Sequence, residues 1–357
     1  MLPPFARRQS LPSGFWCHNT SMNVRPQPCF LPVLALVASA FGPAYGQKLT
    51  PPPFAFPPSF QAPRPAQAPN LAAGRTQTKT RVKTVLRRKP LTKTQLNQAL
   101  IAEAYQRNMV NVAKLLAQGA DPNARDKAGV PVLFYAAAVK DNIFVVTLLL
   151  GKGANVNARD PHGNTPLAEA VQLGNRPLTT LLFEHKADPN VRNRAGFTPL
   201  GVAAAKNDAP TMTLLLAHGA DPNAAQHEGL TPLVLAVGRG NPEAVRLLLD
   251  AGAAVNSSAK SGSISPLSVA VATLHQVPSG AAREAVLLTL LDHKADANGR
   301  DVQGNPPLMV SVSLGDLTGM RLLLEHRAKA DAPDCLGETL WSRSAEQSTP
   351  ESRISTG

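Results

Sequence analysis

A tripeptide returns along this chain at a fixed interval. Thr165-Pro166-Leu167, Thr198-Pro199-Leu200 and Thr231-Pro232-Leu233 stand 33 residues apart, and Ser265-Pro266-Leu267 and Pro306-Pro307-Leu308 continue the series with one longer step. A second marker closes each period: GADPNARD at 119, GANVNARD at 153, KADPNVRN at 186, GADPNAAQ at 219, GAAVNSSA at 252 and KADANGRD at 294. Paired leucines such as Leu181-Leu182, Leu214-Leu215, Leu247-Leu248 and Leu322-Leu323 lie between the two. A period of this size restricts the chain to stacked supersecondary units, each touching only its neighbours.

The residue types within one period say what the unit is. Thr or Ser before Pro places a capping oxygen ahead of a residue whose missing N–H costs nothing at the first helical position. A short helix of Leu, Val and Ala follows, as in Leu200–Ala205. Six residues before each leucine pair stands a second capping residue: Asn142, Asn175, Asp208, Asn241 or Asp316. A second helix therefore starts there, with its leucines toward the first. Gly119, Gly153, Gly219 or Gly252 ends it in the left-handed conformation that glycine tolerates best. The Asp/Asn-rich stretch after it, such as Asp160-Pro161-His162-Gly163, reads as a tight turn. The prediction is an all-α solenoid of about seven stacked helix–turn–helix–hairpin units over residues 94–341.

The pattern G-x-T-P-L … A-A … L-L … G-A-D-x-N resembles the ankyrin-repeat family. The resemblance implies a non-catalytic scaffold that binds another protein on a concave face made of hairpin tips and the exposed side of the first helices. Carried onto this sequence, those positions are Lys127, Ala128 and Val130; His162, Asn164 and Gln172; Arg194, Phe197 and Lys206; His227, Glu228, Leu230 and Arg239; and Val302, Gln303 and Asn305. Of these sixteen, four are Lys or Arg and one is Glu, so a neutral to acidic partner surface is expected. Phe197 and Leu230 stand at turn tips, where they either anchor a partner or pack on the next hairpin. The chain departs from the family pattern in three ways. The histidine that usually follows Thr-Pro-Leu is replaced by Ala168, Gly201, Val234 and Ser268; Lys186, Lys294 and Arg327 take the place of the helix-ending glycine; and about eight residues are added around Leu274–Ala281. The first unit, Gln95–Asp126, lacks Thr-Pro-Leu and carries polar Gln95, Gln98 and Gln106, as an end cap should, while the last, Cys335–Trp341, is truncated.

The formal charge of +12 is unevenly placed. Residues 1–93 hold 13 basic residues and no acidic one, whereas residues 94–357 sum to −1. That split excludes a uniformly basic nucleic-acid-binding globule, and no specific nucleic acid is expected. With seven aromatics beyond residue 94, the repeats also lack a base-stacking platform. Residues 22–47 have the layout of a secretory signal: Arg25, an apolar stretch of 13 positions from Cys29 to Phe41, then small residues at Ala44 and Gly46 before a cut at Gln47. The expected organisation is a leader over 1–46 with a start at Met1 or Met22, a disordered proline-rich and basic arm over 47–93, repeats over 94–341 and a disordered tail over 342–357. Such a chain would be exported, to a bacterial periplasm or the medium, and act as a monomer. Residues 75–93 carry eight positive charges, which makes the arm a candidate for contact with anionic membrane or polysaccharide.

Catalytic or cofactor chemistry finds no pattern here: no phosphate-binding loop, dinucleotide fingerprint or nucleophile elbow is present, and neither enzyme activity, cofactor nor metal is expected. His185, His218, His293 and His326 recur at the ends of second helices, where imidazoles satisfy last-turn carbonyls and complement the dipole. Asp121, Asp188, Asp221 and Asp296 fall one per unit beside turns and read as structural. Cys17, Cys29 and Cys335 are too few for a disulfide framework.

Overall fold

The computed structural model describes residues 91–226, 229–256, 265–274, 280–301, 304–333, 337–339 and 342. The expected leader, the arm up to residue 90 and the tail after residue 342, with His227, Glu228, Val302, Gln303 and Cys335, fall outside the described residues; the last three positions of the expected arm, 91–93, lead into and begin the first helix. Among those described, fourteen helices and no strand form seven pairs. The first helices are α1 (Lys93–Tyr105), α3 (Val132–Ala137), α5 (Pro166–Gln172), α7 (Pro199–Ala205), α9 (Pro232–Arg239), α11 (Pro266–Leu274) and α13 (Pro307–Ser313). The second helices are α2 (Met109–Ala117), α4 (Ile143–Gly151), α6 (Arg176–Glu184), α8 (Ala209–Ala217), α10 (Pro242–Asp250), α12 (Gly280–Asp292) and α14 (Leu317–Glu325). First helices pack on first helices from α1 to α13, and each also packs on its own partner.

Capping follows the expected chemistry with one exception. Thr165, Thr198 and Thr231 each accept the backbone N–H three residues on, at 3.2–3.3 Å. Asn175, Asp208, Asn241 and Asp316 do the same for the second helices. Asn142 does not. Its side chain is buried and its Nδ2 donates to the carbonyls of Ala104 (2.9 Å) and Ala136 (3.1 Å), so it ties the first unit to the second. The first helix starts at Lys93, where Thr92 and Gln95 form a reciprocal capping box.

Each short helix is stable only in the stack. The second leucine of each pair (Leu182, Leu215, Leu248 and Leu323) is fully buried, as are Leu167, Leu200, Leu233 and Leu267 of the first helices. At ~1.5–3 kcal/mol for each such side chain, this continuous core is the main favourable contribution to folding. The expected left-handed residues are present even without glycine: Lys186, Lys294 and Arg327 have φ of 63°, 65° and 66°. The added residues near Leu274–Ala281 are partly helical rather than all connection, because α12 runs 13 residues where α6 and α10 have nine.

An asparagine ladder joins the units on the hairpin side. Asn123 Nδ2 donates to the Gly153 carbonyl at 3.0 Å while its Oδ1 accepts from Asn155 N at 2.7 Å. Asn190 repeats the pair with Gly219 and Asp221, Asn223 with Gly252 and Ala254, and Asn298 with Arg327 and Lys329. The aspartates of the repeat are structural in the expected sense: Asp121, Asp188, Asp221 and Asp296 each accept the N–H two residues on, at 2.8–2.9 Å.

Candidate binding face

Each described hairpin is closed by its own backbone, and four of them by a side chain as well. Asp126 N donates to Val130 O, Asp160 to Asn164, Asn193 to Phe197, Gln226 to Leu230 and Asp301 to Asn305, all at 2.9–3.0 Å. In the return direction Asp126, Asp160, Asn193 and Asp301 accept the N–H four residues on, at 2.7–2.9 Å. The tips are thereby fixed, and what they project is set by the residues between. Neighbouring hairpins are also bonded: Arg194 N donates to His162 O at 2.9 Å, and Asn193 Nδ2 to Asn164 Oδ1 at 2.9 Å. A Cβ on Gly163 would lie 3.1 Å from that Arg194 nitrogen, so the close approach requires glycine, which also holds a φ of +81°.

The sequence-assigned positions divide by burial. Lys127, His162 and Arg194 are exposed at the tips, with Ala128 beside them. Val130, Gln172, Lys206 and Arg239 are half-buried, the last three at the ends of first helices. Three positions are buried. Leu230 is 2 % exposed and packs in the core, the second of the two roles open to it. Asn164 and Asn305 are buried because their amides bond inward to Asp160 and Asp301, at 3.2 and 3.4 Å. Phe197 is half-buried against the core, the second of the two roles open to it. His227 and Val302 lie outside the described residues.

One charged group on this side goes unremarked in the residue pattern. Glu169 lies two residues past Thr-Pro-Leu, where the other units place Tyr135, Val202, Leu235, Val269 and Val310, all buried. Glu169 is itself 5 % exposed, and burial raises its carboxyl to about 7, with the charge of Asp160 adding to the effect and that of Lys206 opposing it. Lys206 crosses from the next unit, where its Nζ donates to the Gln172 carbonyl. Burial lowers the Lys206 ammonium from its usual value, against the charges of Asp208 and Glu169. In the preceding unit Tyr135 donates to Asp126 Oδ2 at 2.7 Å, and burial together with that carboxylate pushes the phenol up. Aligning the columns of the repeat exposes Glu169 as the polar outlier, a clue the spacing of motifs alone does not give.

On the opposite side, second helices end in imidazoles: His293 and His326 place Nδ1 2.8 Å from the carbonyls of Thr289 and Leu322, as expected of caps. His218 instead stacks on Phe183 of the unit before, with ring centroids 4.0 Å apart. Among the described residues no group of three or more His, Cys, Asp or Glu is placed to hold a metal ion.

A family model described as ankyrin repeats (three copies) matches residues 100–193, 170–261 and 200–278, together half of the chain. A comparison with curated proteins finds no match.

Proposed function

Because the chain belongs to the ankyrin-repeat family, whose repeats are protein–protein interaction modules, we propose that it is a non-catalytic adaptor that captures a partner protein on the concave side formed by its hairpin tips and first helices. The observation that carries this reading is the division of labour in the hairpins. Asp126, Asp160 and Asn193 spend their side chains on the hairpin backbone, and Lys127, His162 and Arg194 are left exposed between them. A rigid tip with an outward cation suits capture of a neutral to acidic surface, since fixed charges steer encounter and select the partner. Lys206 and Arg239, half-buried at the ends of adjacent first helices, extend the same sign along the face. The signal-like stretch at 22–47 supports an exported location, which sequencing of the mature N-terminus tests.

The test uses the full chain with a photo-crosslinking residue at His162 or, separately, at the exposed Glu184 on the other side. Crosslinks from 162 to a discrete protein, lost in a Lys127→Glu/Arg194→Glu variant, support the proposal. Equal crosslinking from 184, or indifference to charge reversal, refutes it.

A further inference from the structure

Each first helix begins at a hairpin and ends at a tight turn, so the turns form a second edge of the stack, opposite the hairpins. Side-chain contacts link neighbouring turns at two places along it. Arg107 Nη1 donates to the Lys140 carbonyl at 3.4 Å, joining the turns of the first two units. The contact of Lys206 Nζ with the Gln172 carbonyl joins those of the third and fourth.

Over the first three units this edge is apolar. Tyr105 ends α1, Met109 and Val110 begin α2, Phe144 lies in the first turn of α4, and Leu173 follows α5. All five are exposed, Phe144 by 74 % and Val110 by 57 %. Val110 and Phe144 stand two residues after Asn108 and Asn142, at equivalent places on helices that pack together. Pro177 and Pro210 continue the row on α6 and α8, and Glu243 on α10 ends it. Scattered exposed apolar residues are ordinary, but a set gathered on one edge marks a surface for interaction.

The charges beside it identify the partner. Arg107, Lys140 and Arg176 are exposed on the same turns, with Asp141 among them. A second copy docked isologously would set these cations against themselves. A surface that takes apolar side chains and anionic contacts at one depth is the headgroup layer of a lipid bilayer. We propose that this edge docks on an anionic membrane surface, with Phe144, Val110 and their apolar neighbours entering the headgroup region while the arginines and lysines pair with lipid phosphates. The exposed hairpin tips at Lys127, His162 and Arg194 lie on the other edge and remain open to a protein partner, while Lys206 and Arg239 adjoin this one; the inference goes beyond the adaptor reading and does not depend on it.

The experiment is co-sedimentation of the full chain with vesicles of phosphatidylcholine containing about one-third phosphatidylglycerol, against pure phosphatidylcholine. The expected result is partition to the anionic vesicles that falls at least tenfold in Val110→Glu/Phe144→Glu. Lys152→Glu, an exposed site at the far end of α4 with the same change of two charges, should stay within twofold of wild type. Circular dichroism melts of the variants verify folding. In a Phe144→Trp protein, brominated lipid should quench fluorescence beyond the background of Trp16 and Trp341. Equal losses in both charge variants, undiminished binding by Val110→Glu/Phe144→Glu, equal binding to neutral vesicles, or a change in oligomeric state without vesicle binding would each overturn the proposal.

Discussion

Replacing Glu169 should stabilise the protein, and by an amount that depends on pH. The carboxyl lies where sister units bury Val202, Leu235 and Val310, and its pKa rises from 4.5 to about 7. A carboxyl raised on folding binds its proton more tightly in the native state, so stability falls as pH climbs from about 4.5 to about 7 and the full cost applies above that. At 1.36 kcal/mol per pH decade, the cost is about 3 kcal/mol at pH 8 and a little under 1 kcal/mol at pH 5. Glu169→Gln removes the ionisation while keeping shape, and Glu169→Leu also restores the apolar side chain of the other repeats. Urea unfolding followed by circular dichroism at pH 5 and pH 8 measures the difference, with hydrogen exchange on α5 reporting the local stability of that unit. Both variants should gain about 2 to 3 kcal/mol on wild type at pH 8 relative to pH 5. The comparison between the two pH values cancels any fixed cost of burying an amide. If the gap between Glu169→Gln and wild type is the same at both, the carboxyl is not titrating in the folded protein near neutrality, and its burial does not act as described.

Two further perturbations test the scaffold. Lys186→Gly should leave the protein unchanged or stabilise it by up to ~1 kcal/mol, because Lys186 holds a φ of 63° that glycine adopts without strain; a melting temperature lowered by several degrees would contradict this. Arg283→Ala should cost about 3 kcal/mol, since it strands the buried carboxylate of Asp316 now held at 2.8 Å. Limited proteolysis should then open the last two units before the first five, and uniform cleavage along the stack would refute that assignment.

The amino-acid pattern exposes the scaffold because every unit repeats the same local devices. Thr198-Pro199 caps and starts a helix wherever it occurs, and the need for a left-handed residue at the end of the second helix persists when Lys186 replaces glycine. The candidate face is less legible. Whether a tip residue points outward or inward depends on the neighbouring hairpin, so Val130 and Leu230 hold the same place in their repeats and yet one is half-buried and the other buried. Asn142 reads as a helix cap, yet the carbonyl of Ala104 from the preceding unit draws its amide away.

The sequence by itself determined the repeat, the kind of unit, the helix starts and the division of charge between a basic N-terminal quarter and repeats of net −1. Those properties follow from contacts within one period or from composition. The tertiary structure decided what each unit does to the next. It buried Glu169 beside Asp160 and under Lys206, and it linked the units through Asn123, Asn190 and Asn223. It also gathered Val110 and Phe144, 34 positions apart, on one exposed edge. Burial and proximity between units arise only when the units stack, because a side chain's solvent and field are supplied by neighbours about 30 residues away in the chain.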